Sequence, residues 1–541
     1  MSAWTYGNLW ESVAGALPND TAFIQGDHKV TYAEFDRNAD SLAAAFLKAG
    51  LSHQSKVGAY MYNCPEYVTT YFAAFKAGLA PFNTNYRYGS DELFYLFDNA
   101  DAEAIVFHTE FTDRIEALRA RLPNVKAWIA VPEPGRPAPA WALDYEKIIA
   151  APPARRLVTA PWGRSEDDVL MIYTGGTTGM PKGVMWRLGD LLNARGANPM
   201  TGLGPVEKPE DHGPRLPEIA RSAMLPAAPI MHATGQTMTF GAISNGGTVV
   251  FLPNRKFDAA QMWDEVVDKG VSRVVIVGLA FCAPMLEALE ARPTRWNLGH
   301  MRMIMSSGAM WSKENKQGLL KHMPNCALFD SLGSSEAFGI AGSATRAGEE
   351  TDTAKFALGP NGALFTEDGR RVVAGSGERG MIAISGNIPI GYYKDPAKTE
   401  ATFRMFDGVR WSVPGDWAEL NEDGTLNLLG RGSQCINTGG EKVFPEEVEE
   451  SLKRHASVRD AAVLGLPDQR FGERICAVVE LKPGAAEPDL GELASHVKAQ
   501  LADYKAPRNL VIVDSVGRAP NGKLDYKALK DIAVARTITP V

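Results

Sequence analysis

Residues 174–183, Thr-Gly-Gly-Thr-Thr-Gly-Met-Pro-Lys-Gly, hold four glycines, three threonines and one lysine. Backbone of this kind can approach an anion closely. Its N–H groups and hydroxyls can donate to phosphate oxygens, and Lys182 adds a positive point charge. The apolar run Asp167-Asp168-Val169-Leu170-Met171-Ile172 just before it reads as a buried strand, so the stretch is predicted to be a phosphate-holding loop rather than a linker. A Walker A loop needs lysine directly after its second glycine, followed by Ser or Thr. Met180 and Pro181 separate Gly179 from Lys182 and Gly183 follows, so this is a different loop. Farther on, the carboxylate of Asp416 could accept both hydroxyls of a ribose, and Arg431 could donate to ribose or phosphate oxygens. Pro520-Asn521-Gly522 is a turn that would present Lys523 at a loop tip. Taken singly, these features have ordinary readings. Gly333-Ser334-Ser335-Glu336 alone would be a capped helix start, and a turn lysine is usually a solvated charge.

Their order along the chain is more specific. The Gly/Thr loop, then Gly333-Ser334-Ser335-Glu336, then Gly415-Asp416 with Gly430-Arg431, then Asn521-Gly522-Lys523 resembles the adenylate-forming superfamily: acyl-CoA synthetases, firefly luciferase and the adenylation domains of peptide synthetases. The resemblance runs from about residue 20 to 530 and implies roles by position. Thr174, Gly175, Gly176, Thr177, Thr178, Gly179 and Lys182 would hold the ATP phosphates. Ser307, Gly308, Ala309, Asp330, Ser331, Leu332, Gly333, Ser334 and Ser335 would border the nucleotide, with Asp416, Arg431, Lys442 and Lys523. Glu336 and Thr177 would hold Mg²⁺. His232 would line the acyl tunnel, where Gly235, Gly278, Gly308, Gly333 and Ser334 leave room. Gly439, Gly440 and Glu441 would border coenzyme A, and Ser433 would be the hinge. Lys523, Glu336, His232 and Arg431 would carry the catalysis. Two positions depart from the pattern: Leu332 stands where many relatives have Tyr, and Ser433 where they have Asp or Lys.

The implied reaction joins a carboxylic acid to ATP, releases pyrophosphate and passes the acyl group to coenzyme A. Val184-Met185-Trp186-Arg187 resembles the branch acting on fatty acids and bulky side chains such as those of sterols. An aryl or arylalkanoic acid fits too. Loading of a carrier protein is the second reading; a luciferase-like oxygenase and a non-catalytic nucleotide binder come last, the latter disfavoured by Glu336, Arg431 and Lys523 together.

These residues need a large scaffold. With 541 residues, the chain calls for more than one domain, and the reading divides it into residues 1–430, the AMP-binding part, and 431–541, a mobile part carrying Lys523. The fold class is α/β: a large N-terminal domain of mixed, mainly parallel sheets with flanking helices, then a small mobile C-terminal α/β domain. Strands at 21–24, 56–61 and 104–107 alternate with helices at 33–49, 65–78 and 90–100, the pattern of a parallel sheet with crossovers. Residues 79–85 read as turn, 132–153 as surface loop, 196–217 as a surface excursion, and 271–279 as strand. Hydrophobic content of 45% and charged content of 22% are ordinary for a globular protein, and a net charge of −8 provides no basic field for nucleic acid. Five scattered cysteines without a CxxC pair predict neither zinc knuckle nor disulfide framework, and fit a cytoplasmic protein. Neither a secretory leader nor an integral membrane segment is read. A homodimer is left open.

Overall fold

The computed structural model describes residues 3–151, 160–176, 179–195, 206–218, 221–308, 311–349, 355–434, 436–438, 441–468, 472–501, 503–519 and 522–537. Among them, three sheets of 15, 8 and 5 strands organise the chain. The 15-stranded sheet has a parallel block in the order Thr21–Gln25, Thr248–Phe251, Ala223–Pro226, Val271–Ile276, Met303–Ser307, Ala327–Ser334. It continues antiparallel through Ala337–Thr345 and Lys355–Leu358 to Thr425–Arg431 and Asp416–Leu420. The 8-stranded sheet is parallel from Val169–Gly176 through Ala80–Asn83, Lys56–Tyr60, Ala102–His108 and Ala127–Val131 to Leu143–Asp144. The 5-stranded sheet holds Ile436–Thr438, Glu441–Val443, Val458–Asp468, Gly472–Leu481 and Asn509–Val513. The mixed α/β class is as expected.

Period-two alternation sets the layers. Val57, Ala59, Ala104, Val106, Leu170 and Ile172 face one core shared with the large sheet and the helices Tyr6–Ala16, Tyr32–Lys48, Pro65–Lys76 and Ala233–Ser244. Tyr60, Ile105, Phe107, Met171 and Tyr173 face the opposite side, against Leu93, Leu96 and Ile115 of the outer helices. Neither face of the parallel strands is wet, which is why they read as apolar runs.

One charge cluster lies inside this layering. The Lys76 ammonium is fully buried and lies 3.0 Å from Glu11, 2.7 Å from Asp36 and 2.8 Å from Asp40. Arg164 adds a second cation with a two-pronged contact to Glu11, 2.7 and 2.8 Å. Three helices and a distant loop are thus pinned through one ammonium.

Several expectations change. Residues 80–83 form an interior strand rather than part of a turn; Pro81 is tolerated there, and Asn83 uses its side chain as a structural bridge, described below. Residues 143–150 fold into a short strand and the helix Tyr145–Ala150, so the Pro/Ala-rich stretch is not loop throughout. In 206–217, two 3₁₀ turns bury His212 and Leu216, so this part of the excursion is packed; residues 196–205 lie outside the described set. The apolar run from Val274 breaks at Gly278, whose φ of +50° favours glycine, and Leu279–Ala291 is helix rather than continued strand. Among the described residues no helix is long and apolar enough to cross a membrane.

Candidate active site

The described residues of the Gly/Thr stretch lie in two paired strands. Val169–Gly176 pairs antiparallel with Gly179–Arg187, setting Thr174 opposite Lys182 and Gly176 opposite Gly179. Gly175, Gly176 and Gly179 are described through their backbone, and Thr177 and Thr178 lie outside the described residues. A Cβ on Gly183 would come 2.8 Å from the Tyr173 ring, so glycine is needed there for the two strands to close. The Lys182 ammonium is paired with Asp395.

Asparagine side chains join this hairpin to the rest of the site. Asn83 accepts from Tyr173 N–H at 2.7 Å and donates to the Tyr173 carbonyl at 2.8 Å and the Met231 carbonyl at 2.6 Å. Asn63 donates to the Pro226 and Ala228 carbonyls, both 3.1 Å, and accepts from Ile230 N–H at 2.8 Å. Both satisfy backbone groups that irregular chain would otherwise bury unpaired. The segment leading to His232 is therefore fastened to the sheet that carries the hairpin. His232 is the N-cap residue of Ala233–Ser244 and half-buried. Desolvation first, and then the cations Lys523 and Arg87, push its pKa down to about 4, so the ring is neutral near pH 7. Lys523, an exposed residue 291 positions later, thus lies close enough for its charge to act on His232.

The parallel strands supply the floor. Gly278 N–H donates to Ser306 Oγ at 2.8 Å, and Ser307 pairs with Ser331 in register. Gly278, Ser307, the exposed Gly308 and Ser331 thus share the carboxyl end of three neighbouring strands, where open α/β sheets bind ligands. Ala309 lies outside the described residues. Ser331, Leu332, Gly333, Ser334, Ser335 and Glu336 are all half-buried, at a hairpin tip rather than a helix start. Ser334 Oγ accepts from Glu336 N–H at 3.2 Å, and the Ser335 carbonyl accepts from Trp186 Nε1 at 2.9 Å. Glu336 Oε1 accepts from the Tyr392 hydroxyl at 2.7 Å, and its carbonyl from Ser412 Oγ at 2.7 Å.

One position differs from expectation. Asp330 turns inward to a buried ion pair with Lys316, whose ammonium also lies 5.6 Å from the Trp311 ring centre; a buried carboxylate needs such a partner. A Cβ on Gly235 would come 2.6 Å from the Pro229 carbonyl, and one on Gly333 would come 2.9 Å from the Ala337 carbonyl. At both glycines a side chain would meet backbone, so glycine allows the close approach.

Asp416 and Arg431 stand opposite each other on adjacent antiparallel strands, and Gly432 N–H donates to the Gly415 carbonyl at 3.0 Å. Arg431, Ser433, Glu441 and Lys442 are described through their backbone. Ser433 lies in a 3₁₀ turn, Glu441 pairs with Thr438 and Lys442 with Asn437 in a hairpin; Gly439 and Gly440 lie outside the described residues. Gly430 has φ +120°, and a Cβ there would run into the Glu446 carboxylate from the helix Pro445–Lys453.

Sequence reasoning missed Asn83, Tyr392 and Asp395. Asp395 carried a local signal, an N-cap aspartate before Pro396, and it does accept from Lys398 N–H at 2.9 Å. Its partnership with Lys182, 213 residues away, had none. The side chains described are a hairpin lysine, a carboxylate oriented by a tyrosine, a neutral imidazole and, from the C-terminal part, a lysine whose charge reaches that imidazole.

The family model described as AMP-binding enzyme matches residues 10–393, and the AMP-binding enzyme C-terminal domain matches 447–523. The chain is 39% identical to a medium/long-chain-fatty-acid–CoA/3-oxocholest-4-en-26-oate–CoA ligase of Mycobacterium marinum, over 99% of this chain and 97% of the relative. It is 38% identical to a 3-oxocholest-4-en-26-oate–CoA ligase of Rhodococcus rhodochrous, over 98% and 96%. Among solved structures, it is similar in fold to the anthranilate CoA ligase AuaEII in complex with anthranoyl-AMP, with TM-score 0.83, 21% identity and 99% and 98% coverage. ATP-bound MatB from Rhodopseudomonas palustris matches with TM-score 0.80, 24% identity and 97% and 98% coverage.

Proposed function

We infer the reaction from one premise: the chain belongs to the AMP-binding enzyme family. It is an AMP-forming acyl-CoA ligase, and we propose that its acid is a medium- or long-chain fatty acid or the side-chain acid of a steroid. The observation that carries the class is near-full-length similarity to CoA ligases of those acids. The Lys523 charge reaching His232 supports the assignment of roles.

Both substrates are anions, so the barrier is mainly electrostatic and placed cations lower it more than acid–base groups do. A carboxylate oxygen bonds to the α-phosphorus, the bond to the bridging oxygen of the β-phosphate breaks, and its electron pair leaves with pyrophosphate. In the proposal Lys523 lies between carboxylate and α-phosphate, orienting the attack and offsetting charge in the transition state. Lys182 exchanges Asp395 for a phosphate oxygen. Asp416 and Arg431 take the ribose, and Ser307, Gly308 and the Ser331–Ser335 tip border the base. His232, being neutral, lines the acyl side without adding charge. Glu336 is a hard oxygen donor fixed by Tyr392 and would hold Mg²⁺, which supplies further neutralisation of the triphosphate. In the second half the thiol sulfur of CoA bonds to the acyl carbon, and the carbon–oxygen bond to AMP breaks. That step needs the space held by Lys523, so we assign residues 431–541 a rotation about Gly430–Ser433, which would bring Gly439-Gly440-Glu441 to the thiol path. A cytoplasmic location, with ATP and CoA at hand, belongs to the same reading.

A panel of acids in a pyrophosphate-release assay, with and without CoA, tests the assignment. Fatty and steroid side-chain acids should release pyrophosphate and yield the CoA thioester by mass spectrometry, with benzoate-sized acids at least about tenfold slower. Pyrophosphate release with none of these acids, or an adenylate never passed to CoA, would sink it. The hinge gives another expectation. Gly430→Ala puts a side chain at a φ of +120°, a cost on the order of 1–3 kcal/mol against the observed arrangement. Adenylate formation should fall by roughly 5- to 150-fold, while thioester formation from supplied acyl-adenylate holds. Equal loss in both half-reactions would contradict the rotation.

A further inference from the structure

Lys523 stands on a loop that carries its own internal frame. Ala519 N–H donates to the Lys523 carbonyl at 2.9 Å, and Gly522 N–H donates to the Ala519 carbonyl at 2.7 Å. Gly522 has φ +73°, in the left-handed region that glycine adopts readily. Two backbone hydrogen bonds close the turn, and the buried Leu524 that follows Lys523 packs into the core of the small domain.

A guanidinium adds a polar tie from the turn to the domain. Arg518 grips Asp460 through Nε at 2.6 Å and Nη2 at 3.0 Å, the two-pronged geometry suited to a carboxylate. Nη2 also donates to the Ala461 carbonyl at 3.1 Å and lies 3.8 Å from Glu449. Nη1 reaches the other way and donates to the Gly522 carbonyl at 3.2 Å, the peptide oxygen immediately before Lys523. The carboxylates are themselves fixed. Asp460 accepts from Ala461 N–H at 2.8 Å, and Glu449 accepts from Val463 N–H at 2.9 Å and the Tyr526 hydroxyl at 3.0 Å. Burial opposes the charge on Arg518, and Asp460 and Glu449 outweigh it, holding the proton well beyond the ordinary arginine range. The cation therefore stays in place at any working pH.

We propose that Arg518 is a positioning residue: it ties the Lys523 peptide to the buried Asp460–Glu449 pair, so that the small domain delivers the lysine at a set angle and depth. The inference rests on the reading that Lys523 serves adenylate formation. A guanidinium is required because its planar fork meets Asp460 on one edge and the Gly522 carbonyl on another. An ammonium is a compact point charge on a flexible stem and has to choose.

The test compares Arg518→Ala and Arg518→Lys with wild type in each half-reaction, alongside thermal melting. Pyrophosphate release follows adenylation, and supplied acyl-adenylate with CoA follows thioester formation. Because a displacement of about 1 Å can cost on the order of 100-fold in rate, Arg518→Ala should lose roughly 100-fold in adenylation kcat and Arg518→Lys about tenfold. KM for ATP and acid should change less than kcat, and thioester formation should stay within about threefold of wild type. Arg518→Lys keeps a cation opposite Asp460 and Glu449, so it serves as the folded variant should the alanine change prevent folding. Adenylation by Arg518→Lys within about threefold of wild type, or both half-reactions falling in parallel, overturns the proposal. A wild-type chain that releases no pyrophosphate with any acid overturns the reaction itself, and this inference with it.

Discussion

Lys523→Ala should lower the rate of pyrophosphate release by about 10²- to 10³-fold, the loss typical of removing one placed donor from a developing charge. The effect belongs in kcat, because Lys182 and the glycine hairpin would still hold the nucleotide. Thioester formation from supplied acyl-adenylate and CoA should proceed at close to the wild-type rate, since that step needs the lysine out of the way. The side chain is exposed on a turn, so melting should not shift and lost activity cannot be put down to unfolding. His232 gives an independent readout. The Lys523 charge helps to hold its pKa near 4, so the histidine should titrate at higher pH in the alanine variant, measurable by NMR of the ring. Parallel loss of both half-reactions, or an unmoved histidine, would remove the lysine from the cleft.

Lys76→Met should be the most destabilising of the substitutions considered. It leaves Glu11, Asp36 and Asp40 facing one another with Arg164 as the remaining cation among the ion pairs of this cluster. Removing one member of such a buried group costs about 3–5 kcal/mol, chiefly because the charges left behind are uncompensated. A urea midpoint by tryptophan fluorescence would read this, and adding Asp36→Asn and Asp40→Asn should recover part of the loss. The pH dependence has a definite sign. Burial raises the pKa of Glu11, but the Arg164 hydrogen bond and the Lys76 and Arg164 charges outweigh it, so the folded value lies below 4.5. Its stabilisation is present above 4.5 and disappears as pH falls through the folded value. Burial lowers the pKa of Lys76, and the three carboxylates outweigh it, so the folded value lies above 10.5. That stabilisation is present below 10.5 and is lost as pH rises through the folded value. The cluster should therefore hold a stability plateau between about 4.5 and 10.5 that Lys76→Met abolishes. An unchanged midpoint across that window would mean the ammonium is dispensable.

What could be read from the chain alone follows the range of the interactions. The glycine hairpin, the Glu336 tip and the Lys523 turn each concentrate unusual residues within a few positions, so their chemistry shows in a short string. Helices with caps such as Thr31 with Glu34 announce themselves in the same local way. Tyr392 and Asp395 act on residues 56 and 213 positions away, and nothing in their neighbours says so. Asp330 looked like part of the nucleotide border because it sits in that string; whether its carboxylate faces outward was decided by Lys316 on another element. At Gly235 and Gly333 glycine allows a close backbone approach, which the residue type alone does not show. Asn83 was taken for a turn residue because asparagine is common in turns. Its three hydrogen bonds required knowing which strands would become neighbours.

Asn83 also fixes a length. By bonding to Tyr173 and Met231 at once, it makes the start of the phosphate hairpin and the approach to His232 parts of one immobile block. With the roles proposed above, the nucleotide and the head of the acid would be laid out from a common origin, and a swing of the small domain would leave the separation between them unaltered. Under the proposed roles, selection among acids would fall to the tail beyond His232, so that chain length and girth, rather than reactivity of the carboxyl group, would decide which molecules this ligase accepts.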